Sequence, residues 1–275
     1  MVRAVVTPFL RLLVPALIGA ALVASSTLRA GAQTPPVRAG EGLGAQTYRL
    51  QIETLLKLPE APPPAQAVSP ADLKAVAARC VEQLGKQTSY SSFARLLDRS
   101  IPALASRMYV AQSWTFDHQE PDRYRVTQSL WNGAAAYYYD EWITIGKTHF
   151  DFAGLWLEHG NPVRVDLNPR LGLQKYLQVL RNVEPRSGGT QMQDGKSYTT
   201  LTYMVPLAGD FKTFFAGSEG SAQVQLWLDP ESDLLVGARV TPASTQAPVR
   251  ELQQAFAGYG GDVQIRAPQT ESAGK

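Results

Sequence analysis

The feature that most limits how this chain can fold is an alternating run of side chains around Tyr124, followed by a glycine turn at Gly146. Apolar side chains alternate with polar ones from residue 123 onward, which is the two-residue period of a strand with one solvated face. The run therefore predicts a strand with one dry and one wet face. The apolar positions are Tyr124, Val126 and Leu130, and the polar positions are Arg123, Arg125, Thr127 and Ser129. Gln128 is the only break on the apolar side.

A β-hairpin is predicted next, at Gly146 and Lys147. Glycine at the first position of a two-residue loop is typical of a type II′ turn. In that register Ile143 lies opposite Phe150 and Ile145 lies opposite Thr148, so one face of the hairpin is apolar. The other face is expected to be the wet one, and it carries Trp142, Thr144, His149 and Asp151.

Helices and further strands are predicted on both sides of this region. Ser69 and Pro70 are typical of a helix cap and a first helical residue, and they predict a helix that ends near Lys86. Other helices are expected at residues 91–99, 102–107 and 169–182, and Asp210 is expected to cap a further short helix. Strands are expected at residues 109–116, 198–205, 222–228, 234–241, 250–258 and 263–266. The mixture predicts an α+β chain.

A secretory signal peptide is predicted at residues 1–32. Arg3 and Arg11 precede an apolar run from Leu12 to Ala24. Ala-Gly-Ala at residues 30–32 then provides the small residues that a signal peptidase recognises. The run is shorter than the roughly 20 residues that a membrane span needs. We therefore expect an exported chain that begins near Gln33 and is soluble in the periplasm or outside the cell.

The remaining sequence divides into three parts. Residues 33–68 are rich in Pro, Ala and Gly, and the apolar island from Thr47 to Leu58 inside them fits either a short strand or a short helix. The folded domain is expected at residues 69–268, and residues 269–275 are expected to be a disordered tail. A domain of roughly 200 residues can bury a sizeable core of its own.

Charge and cysteine content restrict the partners of the chain. Residues 1–32 hold three of the 26 basic residues and no acidic one, which leaves 23 basic against 24 acidic residues. This near-neutral balance gives no sign of a nucleic-acid partner. Cys80 is the only cysteine, so the chain has no internal disulfide and no lipid-modified cysteine near the signal. Its position on the apolar side of the first helix predicts a buried thiol.

Sequence motifs of common enzyme classes are absent from the chain. It has no G-x-S-x-G, no G-x-x-x-x-G-K-[ST], no G-x-G-x-x-G after a strand and no H-E-x-x-H. The three histidines, His118, His149 and His159, lack the spacing of metal ligands. We interpret His149 and Asp151 as ordinary polar residues on a wet strand face. No enzymatic activity, cofactor or metal is expected.

Several segments resemble the LolA/LolB and LppX/LprG superfamily of extracytoplasmic lipid and lipoprotein carriers. The likeness extends from about residue 92 to residue 268. It implies a curved antiparallel β-sheet, an incomplete half-barrel, with helices covering the open, concave side and a hydrophobic cavity between the layers. The resembling segments are Pro121–Arg125, which enters a strand, Glu141–Gly146, and Val224–Asp229 followed by Leu234–Val240.

The resemblance implies a set of cavity residues, although aromatic residues are also favoured in strands for packing alone. Both interpretations apply to the apolar faces and to the three tyrosines at residues 137–139. In the resembling family, a helix at the place of residues 169–182 covers the mouth of the barrel as a lid. Arg125 is predicted to latch this lid helix by binding its last carbonyl groups or a carboxylate, whereas Arg123 is expected to be solvated. The expected cavity residues are Trp114, Phe116, Tyr124, Val126, Leu130, Ile143, Ile145, Phe150, Phe152, Leu173, Leu177, Leu180, Phe211, Phe214, Phe215, Leu226 and Leu228.

The function that the resemblance implies is binding and transfer of a hydrophobic small molecule or lipid. A soluble carrier of this kind shelters an acyl chain and delivers it, with a membrane-associated donor or acceptor protein as its expected partner and the monomer as its expected state. The alternative is an envelope regulatory or sensor module of the same fold, which binds protein partners.

Overall fold

The computed structural model describes residues 69–98, 109–131, 136–152, 155–159, 172–193, 195–215, 218–243, 250–261 and 263–270. All of them belong to one of the chain's two compact units, Thr47–Lys275. The predicted signal peptide, the segment at residues 33–68 and the helix at residues 102–107 lie outside the described residues, as does most of the predicted tail.

The described residues form three helices and eleven strands. The helices are α1 (Pro70–Leu84), α2 (Gln174–Asn182) and α3 (Gly209–Phe214). The strands are β1 (Ser89–Asp98), β2 (Tyr109–Gln119), β3 (Arg123–Trp131), β4 (Ala136–Ile145), β5 (Thr148–Phe152), β6 (Trp156–His159), β7 (Ser187–Gln193), β8 (Lys196–Pro206), β9 (Ser221–Leu228), β10 (Leu235–Pro242) and β11 (Arg250–Ala257).

All eleven strands belong to one antiparallel sheet that does not close into a barrel. Its order is β6-β5-β4-β3-β2-β1-β11-β10-β9-β8-β7, so each strand neighbours the next in sequence except β6 and β7, which lie at the two edges. At the centre β1 pairs with β11, which joins the first and last of the described strands. The predicted fold class, a curved antiparallel sheet with helices, is confirmed.

The main core lies on one side of this sheet, which we call the inner face. It is defined by Leu96, Trp114, Val126, Leu226 and Leu252, which share one core with the buried residues of α1, α2 and α3. All three helices therefore cover the same side of the sheet. The opposite side is called the outer face.

Helix α1 forms where the sequence predicted it. Ser69 Oγ accepts a hydrogen bond of 3.3 Å from the Asp72 backbone N–H, and Pro70 is the first helical residue. A stripe of residues at helical spacing is buried against the sheet, which accounts for the stability of the helix more than local propensity does. The stripe is Leu73, Ala77, Cys80 and Leu84.

The other helical predictions need correction at their beginnings. Helix α2 ends at Asn182 as predicted, and within the described residues it begins at Gln174. Helix α3 begins at Gly209, and Ala208 rather than Asp210 occupies its cap position.

The helix predicted at residues 91–99 is wrong, because residues 91–98 belong to β1. The spacing of Phe93, Leu96 and Leu97 fits a helix, and the local sequence does not show which strands would pair with this segment. In the structure β1 is hydrogen-bonded along both sides, to β2 and to β11. Tertiary pairing of this kind outweighs the weak local preference of such a segment.

The predicted hairpin at Gly146 and Lys147 is confirmed. Ile143 lies opposite Phe150 and Ile145 lies opposite Thr148. Gly146, the first turn residue, has a φ of 58°. Lys147, the second turn residue, does not have a positive φ, because Asp233 is the only non-glycine residue with positive φ in the part of the chain that the structure describes. A positive φ at the first turn position alone is the type II′ geometry.

A second, smaller apolar cluster lies on the outer face. It consists of Ile143, Phe150, Trp156 and Ile265, with Ile145, Phe152 and Val263 packed beside them. The C-terminal segment 263–270 therefore covers this part of the sheet. The strand predicted at residues 263–266 is wrong, because the Ile265 N–H donates to Gln119 Oε1 at 3.1 Å and its carbonyl accepts from Arg123 at 3.1 Å. Side chains rather than a strand ladder hold this segment.

Gly188 permits the close approach of α1 to β7. A Cβ atom at this position would lie 2.5 Å from Leu73 Cδ2 and 2.5 Å from the Thr200 carbonyl oxygen. Gly188→Ala is expected to lower the free energy of unfolding by about 2 kcal/mol, because the Thr200 oxygen belongs to a paired strand and cannot move aside. Urea unfolding followed by circular dichroism measures the change. In the control Gly237→Ala the nearest atom is 3.6 Å away, so an equal loss in both variants would contradict the explanation.

Candidate functional site

The predicted cavity residues divide between the two faces of the sheet. Those on the inner side belong to the main core, and Leu130 continues their alternation as a half-buried residue. Four others belong to the outer cluster under the C-terminal segment. The inner set is Trp114, Phe116, Tyr124, Val126, Leu173, Leu177, Leu180, Phe211, Phe214, Phe215, Leu226 and Leu228. The outer set is Ile143, Ile145, Phe150 and Phe152.

The face of the hairpin that was expected to be wet is the inner face. Trp142 pairs with Val126 and Thr144 pairs with Tyr124, so both point toward the helices. Trp142 is 0% exposed. Alternation within the hairpin could not show this, because both sides of β4 and β5 are covered. The outer set is therefore separated from the inner set by the sheet itself.

His149 forms a buried polar group on this inner face. Its Nδ1 lies 3.1 Å from Thr144 Oγ1, and its Nε2 lies 3.0 Å from Asp151 Oδ1. His149 is fully buried, which corrects the interpretation of a solvated pair. Among the described residues, no three His, Cys, Asp or Glu side chains are grouped so that they could hold a metal ion.

An aromatic row continues from this group across the sheet. The ring of His118 lies between those of Tyr90 and Tyr124, with centroids 5.1 Å and 5.2 Å away. Burial lowers the pKa of His118, so the ring is neutral at pH 7 and packs as an aromatic group. His118 lies in β2, which continues beyond the strand predicted at residues 109–116.

Helix α2 is joined to the inner face by a buried hydrogen-bond network centred on Gln254. Gln254 Oε1 accepts from Lys175 Nζ at 2.9 Å and from the Tyr176 hydroxyl at 3.1 Å. Its Nε2 donates to Ser92 Oγ at 3.0 Å. At the cap position just before α2, the Leu173 backbone N–H donates a hydrogen bond to the Tyr90 hydroxyl at 3.0 Å. The network therefore connects the first turn of α2 with β1 and β11.

The Lys175 ammonium group lies among aromatic rings inside the protein. Lys175 is 2% exposed, and its Nζ is 4.5 Å from the ring centroid of Tyr176 and 5.9 Å from that of Phe214. Nζ also donates to the Gly172 carbonyl at 3.2 Å. Burial raises the pKa of Tyr176 well above its usual range, so its hydroxyl stays a neutral donor. The negative faces of aromatic rings attract a cation, so these contacts stabilise the ammonium group inside the protein.

Sequence reasoning missed Lys175 and Gln254. Gln254 occupies an inward position of β11, between Leu252 and Phe256, where a strand with a dry face carries apolar residues. A polar residue at such a position was the available signal. Lys175 gave no comparable signal, because a lysine beside the apolar stripe of a helix is ordinary.

The predicted latch at Arg125 is wrong. Arg125 lies on the outer face, where its Nε and NH2 groups contact Glu141 Oε1 at 2.9 Å and 2.8 Å. Helix α2 packs on the inner face, so the sheet separates the two. The alternation of β3 places Arg125 on the outer face, because successive residues of a strand point to opposite faces and Val126 points inward.

Cys80 is buried as predicted, on the side of α1 that faces the core. Burial raises the pKa of its thiol to about 12. The protonated thiol packs as a small apolar group and supplies no nucleophile.

Comparisons with known proteins agree with this fold. No family model and no curated protein matches the sequence. LprF from Mycobacterium bovis is similar with a TM-score of 0.50 at 12% identity, over 74% of this chain and 99% of that one. The Mycobacterium tuberculosis lipoprotein LppX gives 0.48 at 17% identity, over 72% and 100%. MucB in complex with MucA(peri) gives 0.34 at 13% identity, over 74% and 63%. The LprF score shows that the two chains share a fold.

In the part of the chain that the structure describes, we find no helix with the length and hydropathy needed to cross a membrane.

Proposed function

We propose that this chain is an exported soluble carrier that binds a lipid or another hydrophobic molecule between the inner face of its sheet and its helices. The observation that supports the proposal best is the layer between sheet and helices. Large side chains from both layers meet there, and among the described residues three helices of 15, 9 and 6 residues cover the sheet. Its aromatic members include Trp114, Phe116, Tyr176, Phe211, Phe214 and Phe256.

Such a layer can exchange its own contacts for contacts with a ligand. Transfer of apolar surface from water is favourable by about 25 cal/mol per Å², or about 0.8 kcal/mol for each buried CH₂ group. An acyl chain supplies this free energy without any bond being made or broken. The proposed chemistry is therefore binding and release, with no catalytic residue and no cofactor.

Helix α2 is the element that we propose to move when ligand enters. It has nine residues and no side-chain cap at its beginning. An isolated helix shorter than about 12 residues is marginal in water, so contacts with the sheet must hold α2 in place. These contacts are the apolar residues Tyr176, Leu177 and Leu180 and the hydrogen bonds to Gln254 and Tyr90. A ligand that replaces the apolar contacts can displace the helix.

A carrier also needs a donor and an acceptor, and we propose membrane-associated proteins for both roles. The chain is proposed to act as a monomer in the periplasm or outside the cell. The sensor alternative stays a prediction, since it requires a protein partner instead of a lipid.

The test uses the mature protein purified without detergent. Lipids extracted from it are identified by mass spectrometry, and the delipidated protein is titrated with the neutral fluorescent probe Nile red. We expect at least one co-purified lipid class and saturable Nile red binding that this lipid displaces. Absence of both lipid and saturable probe binding in a folded protein would refute the carrier and favour the sensor.

A further inference from the structure

We propose that the outer cluster is a docking site for an extended segment of a partner protein, and that residues 263–266 occupy this site in the free chain. We call these four residues the strap. The apolar part of the site consists of Ile143, Phe150 and Trp156. The partner segment that fits it carries two β-branched aliphatic residues two positions apart, as the strap itself does. The site is independent of any ligand on the inner face, because the sheet lies between them.

The side chains of the strap alternate between the sheet and water. Ile265 is 2% exposed and belongs to the outer cluster, and the half-buried Val263 packs beside it. Gln264 and Arg266 are exposed. This is the alternation of an extended chain. A polypeptide segment that replaces the strap therefore needs an extended conformation and aliphatic side chains on one side.

The sheet recognises the backbone of the strap at one residue. Gln119 Oε1 accepts a hydrogen bond from the Ile265 N–H at 3.1 Å, and the Arg123 guanidinium donates to the Ile265 carbonyl at 3.1 Å. Gln119 and Arg123 are paired residues of β2 and β3, so they present an acceptor and a donor side by side. Every residue other than proline has this N–H and C=O pair, so the two contacts fit the backbone of another polypeptide equally well.

The strap has fewer hydrogen bonds than a strand of the sheet. Among the described residues, the N–H and C=O of Ile265 are the only backbone groups of the strap that form hydrogen bonds. Ordering each residue costs conformational entropy, and a strand offsets this cost through a hydrogen-bond ladder. The strap offsets it through one buried side chain, one half-buried side chain and two side-chain contacts. It can therefore open while the sheet stays folded.

The turn before the strap is held in place independently of it. The Gly260 N–H donates to the Ser89 carbonyl at 3.0 Å, and Ser89 Oγ donates to the Gly261 carbonyl at 3.1 Å. Opening of the strap therefore leaves the turn attached to β1. A strap that has opened stays close to its site and competes with a partner segment at a high effective concentration.

The test measures binding of a fluorescein-labelled peptide with the sequence of residues 262–270 to the mature protein. Ile265→Asp in the protein releases the strap, because a carboxylate is costly to bury against apolar side chains. We expect the peptide to bind this variant about tenfold more tightly than the wild type, in which the strap competes. The control Gln264→Asp adds the same charge at the neighbouring exposed position and should bind the peptide as the wild type does.

Two further changes establish whether the peptide occupies the site of the strap. The same peptide with its isoleucine replaced by aspartate should not bind the Ile265→Asp protein. Adding Arg123→Met to the Ile265→Asp protein should weaken binding of the original peptide about fivefold, because the peptide carbonyl loses its guanidinium donor. Undiminished binding in either experiment would overturn the proposal, since the peptide would then bind elsewhere.

The comparison of proteins can also contradict the proposal. Equal binding of the peptide to the wild type and to folded Ile265→Asp would overturn it, and so would absence of binding to both. Sedimentation of the wild type tests the other occupant. A dimer that forms with increasing concentration and is lost in folded Ile265→Asp would assign the site to a second copy and overturn the partner.

Hydrogen exchange of the wild type keeps the proposal testable if Ile265→Asp fails to fold, which circular dichroism melting detects. We expect the Ile265 amide to exchange about a hundredfold faster than the Val126 amide, because the strap opens without the sheet. Equal exchange rates would show that the strap opens only when the whole domain unfolds, and the proposal would be wrong.

Discussion

Replacing Trp142 with alanine is expected to lower the free energy of unfolding by about 4 kcal/mol, since truncation of a fully buried tryptophan removes its contacts and leaves a cavity. Trp142 is 0% exposed and belongs to the main core on the inner face. Val126, which pairs with Trp142 on the adjacent strand β3, is equally buried. The surrounding side chains therefore have little freedom to collapse into the cavity that the truncation leaves. Equilibrium unfolding in urea measures the loss.

The matched control is Leu157→Ala on β6. Leu157 also lies on the inner side of the sheet, opposite Asp151, but it is 43% exposed. Its truncation is expected to cost less than about 1 kcal/mol, because most of the lost surface was already in water. A loss below about 0.5 kcal/mol for Trp142→Ala is the size of an ordinary surface substitution, and it would show that this face is solvated after all.

The second large effect is expected at Gln254. Gln254→Leu keeps the approximate size of the side chain but removes the acceptor of Lys175 and Tyr176 and the donor to Ser92. Loss of a partner for a buried polar group costs about 1–3 kcal/mol, and more when the group is charged. We expect the free energy of unfolding to fall by about 3 kcal/mol, and hydrogen exchange of the α2 amides to accelerate more than that of α1.

The control for this prediction is Gln223→Leu, which makes the same replacement at an exposed position of β9. It is expected to change the free energy of unfolding by less than about 0.5 kcal/mol. Equal exchange rates for α2 in the wild type and in Gln254→Leu would contradict the role of Gln254 in holding the helix.

Local patterns were sufficient for elements whose signal is carried by neighbouring residues. Ser69 and Pro70 marked the beginning of α1, because a cap and a fixed proline φ act within one turn. Gly146 marked the hairpin and its register, because a two-residue loop determines which residues face each other. The same holds for the alternation of β3, which follows directly from the geometry of a strand.

The sequence by itself therefore determined most of the strands, the first helix and the register of the hairpin. Through its resemblance to a known family it also determined the fold. Only the tertiary structure decided which face of β4 and β5 is inside, since the C-terminal segment covers Ile143 and Phe150 and makes both faces dry. Only it placed residues 91–98 in a strand, because β2 and β11 come from distant parts of the chain. For the same reason Arg125 proved to bind Glu141, and Lys175 and Gln254, which are 79 residues apart, proved to share one buried network. Contacts between distant residues leave no periodic trace in a sequence.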